Sequence, residues 1–207
     1  MKGLTIRVPK GYAVRPTPDM MRQAMFNSLG TKVYDAEVLE LFAGSGALSL
    51  ECISRGAHSS TCIEKARRHA DILRSNWEYC GFEKNRLTLR VQDAYVAIEQ
   101  LSSLGRRFDL ILADPPFGEK NIGVRSNSFA QRLLDSITLR MLLKEDGLFL
   151  LGHPCRETLD IVSPWREIKV LRHGDNVMRF LTLSAKDCRE EEKRESEVES
   201  GKVVDSI

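Results

Sequence analysis

The segment from Glu40 to Glu51, ELFAGSGALSLE, constrains the fold of this chain more than any other. Apolar residues at strand spacing precede its small-residue turn, and apolar residues at helical spacing follow it, up to Gly56. These residues are Val38, Leu39 and Leu41 before the turn, and Leu48, Leu50 and Ile53 after it. The pattern predicts a buried strand, a glycine loop and an amphipathic helix, an arrangement that is typical of nucleotide-binding α/β proteins.

The glycine loop predicts a ligand site at the turn between strand and helix. Gly44 and Gly46 have no Cβ and can adopt a positive φ, so a ligand can press against the backbone there. The helix that follows presents unpaired amide groups at its N-terminus. A tight turn that binds nothing has the same composition, so the loop alone leaves both interpretations open.

Two acids and one serine narrow the class of ligand. The dinucleotide-binding fingerprint requires a third glycine for close helix packing, and Ser49 occupies that position. Glu40 places a carboxylate where it would repel a pyrophosphate. Glu64, after an apolar run, is expected at the tip of a second strand, where it can accept hydrogen bonds from both ribose hydroxyls, with an exposed strand-end acid as the alternative. The set favours S-adenosylmethionine, which has a ribose, an ammonium group and a sulfonium but no phosphate.

The segment from Phe108 to Phe117, FDLILADPPF, predicts another apolar strand, which ends in an acid, two prolines and an aromatic residue. Open α/β sheets bind ligands at the carboxyl ends of their strands. Pro115 and Pro116 stiffen the backbone, so the Asp114 carboxylate and the Pro115 carbonyl can both face one amine. Phe117 can stack on a flat base. For these residues taken alone, a plain strand end is the alternative.

In this order, the motifs resemble those of the bacterial small-subunit ribosomal RNA (guanine-N2) methyltransferases of the RsmD type, which are class I S-adenosylmethionine-dependent enzymes. The resemblance runs from about Gly3 to Leu183. It is carried by Arg15-Pro16-Thr17, Arg22, Phe26-Asn27, the loop from Leu41 to Leu48, Ser54 to Ala57, and Asp114 to Phe117. The chain departs from the family pattern in its short N-terminal segment, Met1 to Gly11, in Glu40 where Asp is usual, and in His173 where Tyr is usual.

The resemblance implies S-adenosylmethionine as the cofactor and a set of residues that bind it. They are Glu40, Phe42, Ala43, Gly44, Gly46, Glu64, Asp93 and Asp114. Asp93 stands where an acid of such enzymes reaches the adenine amine. The same residue is also expected to be the N-cap of the helix that follows, and the two roles are compatible.

The resemblance further implies methyl transfer to the exocyclic 2-amino group of a guanine in small-subunit (16S) ribosomal RNA. That amine is a poor nucleophile, because its lone pair is delocalised into the ring. Asp114 and the Pro115 carbonyl are expected to accept its two hydrogens, while Phe117 holds the base. Since the sulfonium is already activated, positioning and electrostatics should supply most of the rate. The guanine must be unstacked or lie in an open loop.

The charge of the chain is unevenly distributed. The net charge is +2, but residues 187–207 contain eight acids and four bases, which leaves +6 on the rest. We expect the residues that contact the substrate to be Arg7, Lys10, Arg15, Thr17, Arg22, Phe117, Lys120 and Arg125. For the basic N-terminal residues alone, a solvated face is the alternative. So modest a charge predicts few phosphate contacts, and therefore a guanine presented by an assembling or assembled small ribosomal subunit.

Periodicity along the rest of the chain predicts alternating helices and strands. Helices are expected over 17–29, with Thr17 as N-cap, and over 66–80, 94–101 and 129–143. The apolar face of the first helix is expected to comprise Met20, Met21, Ala24, Met25, Phe26 and Leu29. Strands are expected over 87–91, 147–152, 166–171 and 177–183, with a hairpin turn at 173–176. The pattern predicts an α/β fold with a mostly parallel seven-stranded sheet, helices on both faces and a C-terminal antiparallel hairpin. The resemblance implies that this is the Rossmann-like fold of class I methyltransferases.

Length and composition predict the domain organisation. With 207 residues and 42% hydrophobic content, we expect a basic arm and helix at 1–30, a methyltransferase domain at 31–186 and a charged, disordered tail at 187–207. No apolar run is long enough to span a membrane and no signal-peptide core is present, so we expect a cytoplasmic monomer. Five scattered cysteines and four histidines without ligand spacing predict reduced thiols and no metal site.

Other classes of protein share part of this pattern. Adenine-N6 DNA or RNA methyltransferases and protein-glutamine methyltransferases use the same acid-Pro-Pro-aromatic chemistry, but family resemblance places Asn there more often than Asp. Glu40, Glu64 and Asp114 argue against an RNA-binding protein that has lost catalysis. Ser49 disfavours a nicotinamide-dependent dehydrogenase.

Overall fold

A single seven-stranded sheet, with strand order β3-β2-β1-β4-β5-β7-β6, organises the part of the chain that the structure describes. The structure is a computed structural model, and it describes residues 6–7, 19–116 and 125–184. The strands are β1 (Glu37–Leu41), β2 (Ser59–Glu64), β3 (Leu87–Val91), β4 (Phe108–Ala113), β5 (Leu143–Pro154), β6 (Trp165–His173) and β7 (Asn176–Leu183). Strands β1 to β5 pair in parallel, and β7 is antiparallel to β5 and β6. The predicted fold class is confirmed.

Helices cover both faces of the sheet. They are α1 (Asp19–Leu29), α2 (Ala47–Ser54), α3 (Arg67–Cys80), α4 (Ala94–Ser103), α5 (Phe129–Asp135) and α6 (Ile137–Met141). Buried side chains of α1, α2 and α3 pack in one apolar cluster, and those of α4, α5 and α6 pack in the other. Because strand side chains alternate, Val38 joins the first cluster and Leu39 the second.

The strand order reverses direction at β1. The chain runs outward from β1 to β2 and β3, then returns to place β4 on the other side of β1. Loops that follow the two central strands diverge at such a point and leave a crevice at the carboxyl ends of the strands. The glycine loop follows β1, and the Asp-Pro-Pro segment follows β4. The topology therefore places the two predicted motifs on adjacent strands.

Several predicted boundaries differ from the structure. The helix predicted over 129–143 is wrong as a single element, because the chain breaks at Ser136, whose hydroxyl caps α6 by accepting a hydrogen bond from the Leu139 amide at 3.1 Å. Leu143 already belongs to β5, which is longer than the predicted strand. Met20 is 66% exposed, so it is not part of the buried face of α1. The expected N-cap Thr17 lies outside the described residues.

The helix of the predicted N-terminal arm belongs to the core. Met21, Met25 and Phe26 are almost completely buried, and they pack with Val38 of β1 and Phe180 of β7. Burial of side chains of this size contributes roughly 1.5–3 kcal/mol each. Among the described residues, no helix has the length and apolar character needed to cross a membrane.

Candidate active site

The carboxyl edge of the parallel strands gathers most of the predicted site residues that the structure describes. The register pairs Leu41 with Ile63 on one side and with Ala113 on the other, so the residues that follow β1, β2 and β4 emerge side by side. The residues brought to this edge are the loop from Phe42 to Gly46, with Glu64, Asp93 and Asp114. Neighbouring strands are about 4.8 Å apart, so the loop and Asp114 flank one crevice.

The glycine loop takes a left-handed path. Phe42, Gly44 and Gly46 have φ values of 58°, 54° and 75°. The amide of Ala43 donates to the Ile63 carbonyl at 2.9 Å, and the amide of Gly46 donates to the Ala43 carbonyl at 2.7 Å. Phe42 is not a glycine, so its positive φ stores strain that the surrounding contacts must offset. Strained backbone of this kind is concentrated at binding sites.

Glu64 supports the loop from β2. Its carboxylate accepts one hydrogen bond from the Gly44 amide at 2.8 Å and another from the Ala66 amide at 2.7 Å. The side chain is buried, so the alternative of an exposed strand-end acid does not describe it. A carboxylate can accept about four hydrogen bonds, so these two leave capacity for hydroxyl donors.

Glu40 lies beneath the loop rather than on its open side. Its residue is only 3% exposed, and its carboxylate accepts hydrogen bonds from the Ser49 amide at 3.0 Å and from the Cys62 thiol at 3.8 Å. Burial is the largest cause that raises the pKa of Glu40 to about 7, against the lowering effect of these hydrogen bonds. Ser49 in turn meets the Ser60 hydroxyl at 2.7 Å. Ser49, at the expected third-glycine position, therefore ties α2 to β2 through a hydroxyl contact.

The two loop glycines serve different purposes. A Cβ on Gly46 would lie 2.6 Å from Cγ of Leu73, so the side-chain space at Gly46 is filled by helix α3. A Cβ on Gly44 would meet nothing closer than the Phe42 carbonyl oxygen, at 4.0 Å. Gly44 is therefore the loop glycine with an open side.

Asp93 has the predicted position at the start of α4. Its carboxylate accepts hydrogen bonds from the Tyr95 amide at 3.0 Å, as an N-cap does, and from Lys65 Nζ at 3.2 Å. Partial burial alone would raise the pKa of Asp93, but these hydrogen bonds and the Lys65 charge together hold it below its ordinary value. The residue is half-buried at the edge of the sheet, so a ligand can approach it.

Asp114 and Pro115 follow β4 directly. Asp114 is half-buried, Pro115 is buried and Pro116 is exposed. The carboxylate of Asp114 leans over β5, where a Cβ built on Gly152 would lie 2.4 Å from its Oδ1 atom. Residues before proline favour extended backbone, which fixes the direction in which Asp114 leaves the strand.

An aromatic cluster beside the loop is absent from the sequence-based prediction. The rings of Phe42 and Phe129 have centroids 5.7 Å apart, and those of Tyr95 and Phe129 are 6.3 Å apart and stacked. The Tyr95 hydroxyl donates to the Phe129 carbonyl at 2.9 Å, and the Arg132 guanidinium lies 4.1 Å from the Tyr95 ring centroid. These residues are far apart in sequence, so no local pattern identifies the cluster.

Arg7 lies next to the glycine loop through Asn76 of α3. The buried Asn76 amide accepts from the Arg7 amide at 2.8 Å and donates to the Arg7 carbonyl at 2.8 Å. The same side chain donates to the Ser45 carbonyl at 3.0 Å. Asn76 therefore joins the N-terminal segment to the loop, and the helical pattern of α3 gave no sign of this role.

The other predicted substrate residues are dispersed. Arg22 on α1 forms an ion pair with Asp19 at 2.9 Å. The Arg125 guanidinium contacts Asp135 at 2.7 Å and Asp160 at 3.4 Å, so it is engaged by two carboxylates. Lys10, Arg15, Thr17, Phe117 and Lys120 lie outside the described residues. Within the described ranges, no group of three or more His, Cys, Asp or Glu residues could hold a metal ion.

Comparisons with known proteins agree with this architecture. The profile of the family described as conserved hypothetical protein 95 matches residues 1–182. Ribosomal RNA small subunit methyltransferase D of Escherichia coli K12 is 37% identical over 120 residues, which are 56% of each chain, so this chain spans about half the length of that relative. The protein of the same name from Buchnera aphidicola subsp. Acyrthosiphon pisum is 28% identical over 165 residues, 80% of each chain.

A solved structure has the same fold. It is a 16S rRNA N2 methyltransferase of Thermus thermophilus in complex with AdoMet and guanosine. Its TM-score is 0.62 at 21% sequence identity, covering 83% of this chain and 44% of that chain.

Proposed function

The chain belongs to the conserved hypothetical protein 95 family, the family of ribosomal RNA small subunit methyltransferase D, and on that premise we propose that it methylates small-subunit ribosomal RNA. The proposed methyl donor is S-adenosylmethionine, and the proposed acceptor is the exocyclic 2-amino group of a guanine. The observation that carries the proposal is the position of the Gly44 loop and Asp114 on adjacent strands, at the point where the strand order reverses.

The hydrogen-bond acceptors at the carboxyl edge of the sheet fit this cofactor. Glu64 retains acceptor capacity for ribose hydroxyls, and Asp93 offers a carboxylate for the adenine amine. Gly44 leaves open space against the backbone. Carboxylates at this edge favour a cation over a diphosphate. Glu40 acts from below, where its carboxyl group accepts a hydrogen bond from the Ser49 amide and so supports the start of α2.

Aromatic side chains complete the proposed cofactor pocket. Phe42 follows β1 directly, and its ring contacts Phe129 at the start of α5. Stacking on an aromatic face contributes about 1–3 kcal/mol per base. We assign Phe42 and Phe129 to the wall against which the flat part of the cofactor lies.

The chain's own residues would activate the amine by accepting its hydrogens. Bound S-adenosylmethionine would supply the methyl group from its sulfonium, whose electron pair would stay on sulfur as a neutral thioether, and the extra proton of the methylated nitrogen would pass to the Asp114 carboxylate. The Asp114 carboxylate and the Pro115 carbonyl would each accept one amine hydrogen, which directs the lone pair toward the methyl carbon. Phe117 would hold the plane of the base. The rate then comes from positioning and electrostatics rather than from proton removal before the transfer.

We propose that the RNA-binding surface adjoins the carboxyl edge of the sheet, on the side where Arg7 lies. Arg7 is fixed beside the glycine loop. We propose that Lys10, Arg15, Thr17, Arg22, Lys120 and Arg125 also contact the RNA, with Arg125 requiring exchange of its two carboxylate partners. Residues 1–30 would form the substrate arm and its helix, 31–186 the catalytic unit and 187–207 a charged tail. The proposed compartment is the cytoplasm, and the proposed form is a monomer.

Replacing Asp114 tests the amine site. Asp114→Ala is expected to lower the single-turnover rate by about 100-fold or more, the scale of a lost transition-state acceptor, while the dissociation constant for S-adenosylmethionine changes by no more than a few-fold. Phe117→Ala should be milder and act partly on substrate affinity. Asp109→Asn, on the same strand at the opposite edge, is the matched control and should retain the rate. Near-full activity of Asp114→Ala would place the amine site elsewhere.

The class of substrate is tested by the product. Labelled methyl transfer into total RNA, DNA and protein should label RNA, with N2-methylguanine identified by mass. N6-methyladenine would support an adenine methyltransferase, and labelled glutamine in protein would support a protein-glutamine methyltransferase.

The form of the substrate is tested separately. Few phosphate contacts give weak binding that does not depend on sequence, so a presented loop should be preferred. Turnover should be faster on reconstituted small subunits than on protein-free small-subunit RNA or duplex DNA. Equal turnover on naked RNA would reject the requirement for assembly but not the guanine assignment.

A further inference from the structure

Gly152, near the end of β5, touches the space that the Asp114 carboxylate occupies. Ala113 pairs with Leu151, so the next residues along, Asp114 and Gly152, lie side by side on adjacent parallel strands. A Cβ built on Gly152 would lie 2.4 Å from Oδ1, 3.0 Å from Cγ and 3.4 Å from Cα of Asp114. Two of these distances are at or below the closest approach of non-bonded atoms, so no side chain at position 152 is compatible with this Asp114 conformation.

Backbone conformation does not explain why position 152 is a glycine. The structure gives Gly44 and Gly46 positive φ values but not Gly152, which pairs with Met178 inside a regular antiparallel ladder. Glycine inside a strand costs roughly 0.5–1 kcal/mol relative to alanine. A glycine at such a position commonly marks the close approach of another group. Here the approaching group is the Asp114 carboxylate.

Neither strand can move aside easily to relieve a clash. Asp114 is held by the two prolines that follow it. On β5, the next residue is His153, whose Nε2 accepts a hydrogen bond from Arg179 Nε of β7 at 2.9 Å, and Arg179 also pairs with Glu167 of β6. This chain of contacts ties the end of β5 to β7 and β6. A side chain at position 152 would therefore displace the carboxylate rather than the backbone.

We propose that Gly152 is a positioning residue, which leaves free the space that the Asp114 carboxylate occupies and from which it would face the substrate amine. The proposal rests on the proposed function only in giving Asp114 that task. Because hydrogen-bond acceptors at a reacting amine must be placed to within a fraction of an ångström, a displaced carboxylate should lose most of its effect on the rate. Binding of S-adenosylmethionine should depend little on Gly152.

The direct test is Gly152→Ala, with Gly147→Ala as the matched control on the same strand. A Cβ on Gly147 would also be crowded, at 2.8 Å from Cδ1 of Leu143, but far from Asp114. We expect Gly152→Ala to lower the single-turnover rate at least about tenfold while cofactor affinity stays within a few-fold. Gly147→Ala should lower thermal stability without this selective loss of rate. A Gly152→Ala protein with the wild-type rate would overturn the proposal.

A double-mutant cycle separates positioning from general structural damage. Asp114→Ala removes both clashing atoms, so in that background Gly152→Ala should leave the residual rate unchanged and should no longer lower the thermal midpoint. The double variant should also recover stability that Gly152→Ala alone loses. An undiminished effect of Gly152→Ala without the carboxylate would overturn the proposal.

A crystal structure of Gly152→Ala distinguishes failure of this proposal from failure of the proposed function. The Asp114 carboxylate should move away from its wild-type position, and an unmoved carboxylate would contradict the positioning role. A wild-type protein that methylates no RNA would instead refute the proposed function, while the displacement of Asp114 would still be measurable.

Discussion

Glu40 is a buried carboxyl whose environment opposes its ionisation. It faces Ser49 and Cys62 between β1 and α2, with no cation among the groups that bond it. Burial raises its pKa from 4.5 to about 7, so the folded protein retains a proton that the unfolded chain loses. The contribution of Glu40 to the free energy of unfolding is therefore fully present below pH 4.5 and is lost as the pH rises through about 7.

Glu40→Gln should remove this pH dependence. Glutamine is neutral at every pH and its amide oxygen can still accept from the Ser49 amide. Relative to the variant, the wild-type free energy of unfolding should fall by about 3 kcal/mol between about pH 4.5 and about pH 7. Urea denaturation of both proteins across this range measures the difference. A constant difference would mean that Glu40 titrates normally in the fold.

His153 provides a control of opposite sign. Burial, followed by the Arg179 charge, lowers its pKa from 6.5 to about 4, so the unfolded chain binds a proton that the fold rejects. Its contribution to stability is present above pH 6.5 and is lost as the pH falls toward about 4. His153→Gln should therefore reduce the rise in the free energy of unfolding between about pH 4 and pH 6.5. Glu40→Gln should instead make that rise steeper, because it removes a contribution that falls with pH.

The glycine loop and α2 form an element with one face toward the core and one toward the site. Gly46 faces Leu73 of α3, while Gly44 faces open space. Glu40 and Glu64 bond the element from beneath, at the Ser49 and Gly44 amides. We therefore assign packing against the core to Gly46 and contact with the ligand to Gly44.

Gly44→Ala and Gly46→Ala should separate these two faces. Both cost about 1–2 kcal/mol because alanine is strained at positive φ. Gly46→Ala should cost about 1–3 kcal/mol more, since its Cβ overlaps Leu73. Gly44→Ala should weaken binding of S-adenosylmethionine more per unit of stability lost. Calorimetric titration and thermal unfolding of both variants check this, and equal stability losses would contradict the assignment of Gly46 to packing.

The break between α5 and α6 shows how tertiary contacts divide a helical pattern. Ser136 caps α6, and Gln131 of α5 bonds both the amide and the carbonyl of Asp160. These contacts dock α5 onto the segment after β5, and they hold Phe129 beside Phe42. A continuous helix over 129–143 could not form both the contacts of Gln131 with Asp160 and the cap of α6 at Ser136.

At the scale of the whole molecule, the two edges of the parallel sheet have different chemistry. The carboxyl edge carries the candidate site. At the opposite edge, Lys144 Nζ contacts Asp109 at 2.9 Å and Glu37 at 3.1 Å, which ties the starts of β1, β4 and β5. Hydrogen bonding to Asp109 is the largest cause that raises the pKa of Lys144.

Lys144→Met should affect stability without affecting methyl transfer. The three side chains are about one third exposed, so the loss should be no more than about 1 kcal/mol and should shrink at high salt. The single-turnover rate and the affinity for S-adenosylmethionine should match the wild type. A selective loss of rate would show that the two edges are coupled.

The sequence by itself determined the order of the strands and, apart from the break between α5 and α6, of the helices. It also determined the glycine loop and the strand ends that carry Glu64, Asp93 and Asp114. Apolar periodicity and turn residues are local signals, and parallel strands bring their carboxyl ends to one edge whatever their separation in the chain. For the same reason, the hairpin of β6 and β7 was predictable from two apolar runs around a glycine turn.

Only the tertiary structure decided which way the side chains of the site face. The burial of Glu40, the contact of Gly46 with Leu73, and the approach of Asp114 to Gly152 each join residues from different strands or helices. Such contacts depend on the spacing between packed elements and not on local pattern. A sequence motif fixes which residue stands at an edge, whereas the packing of its neighbours fixes the space that its side chain can occupy.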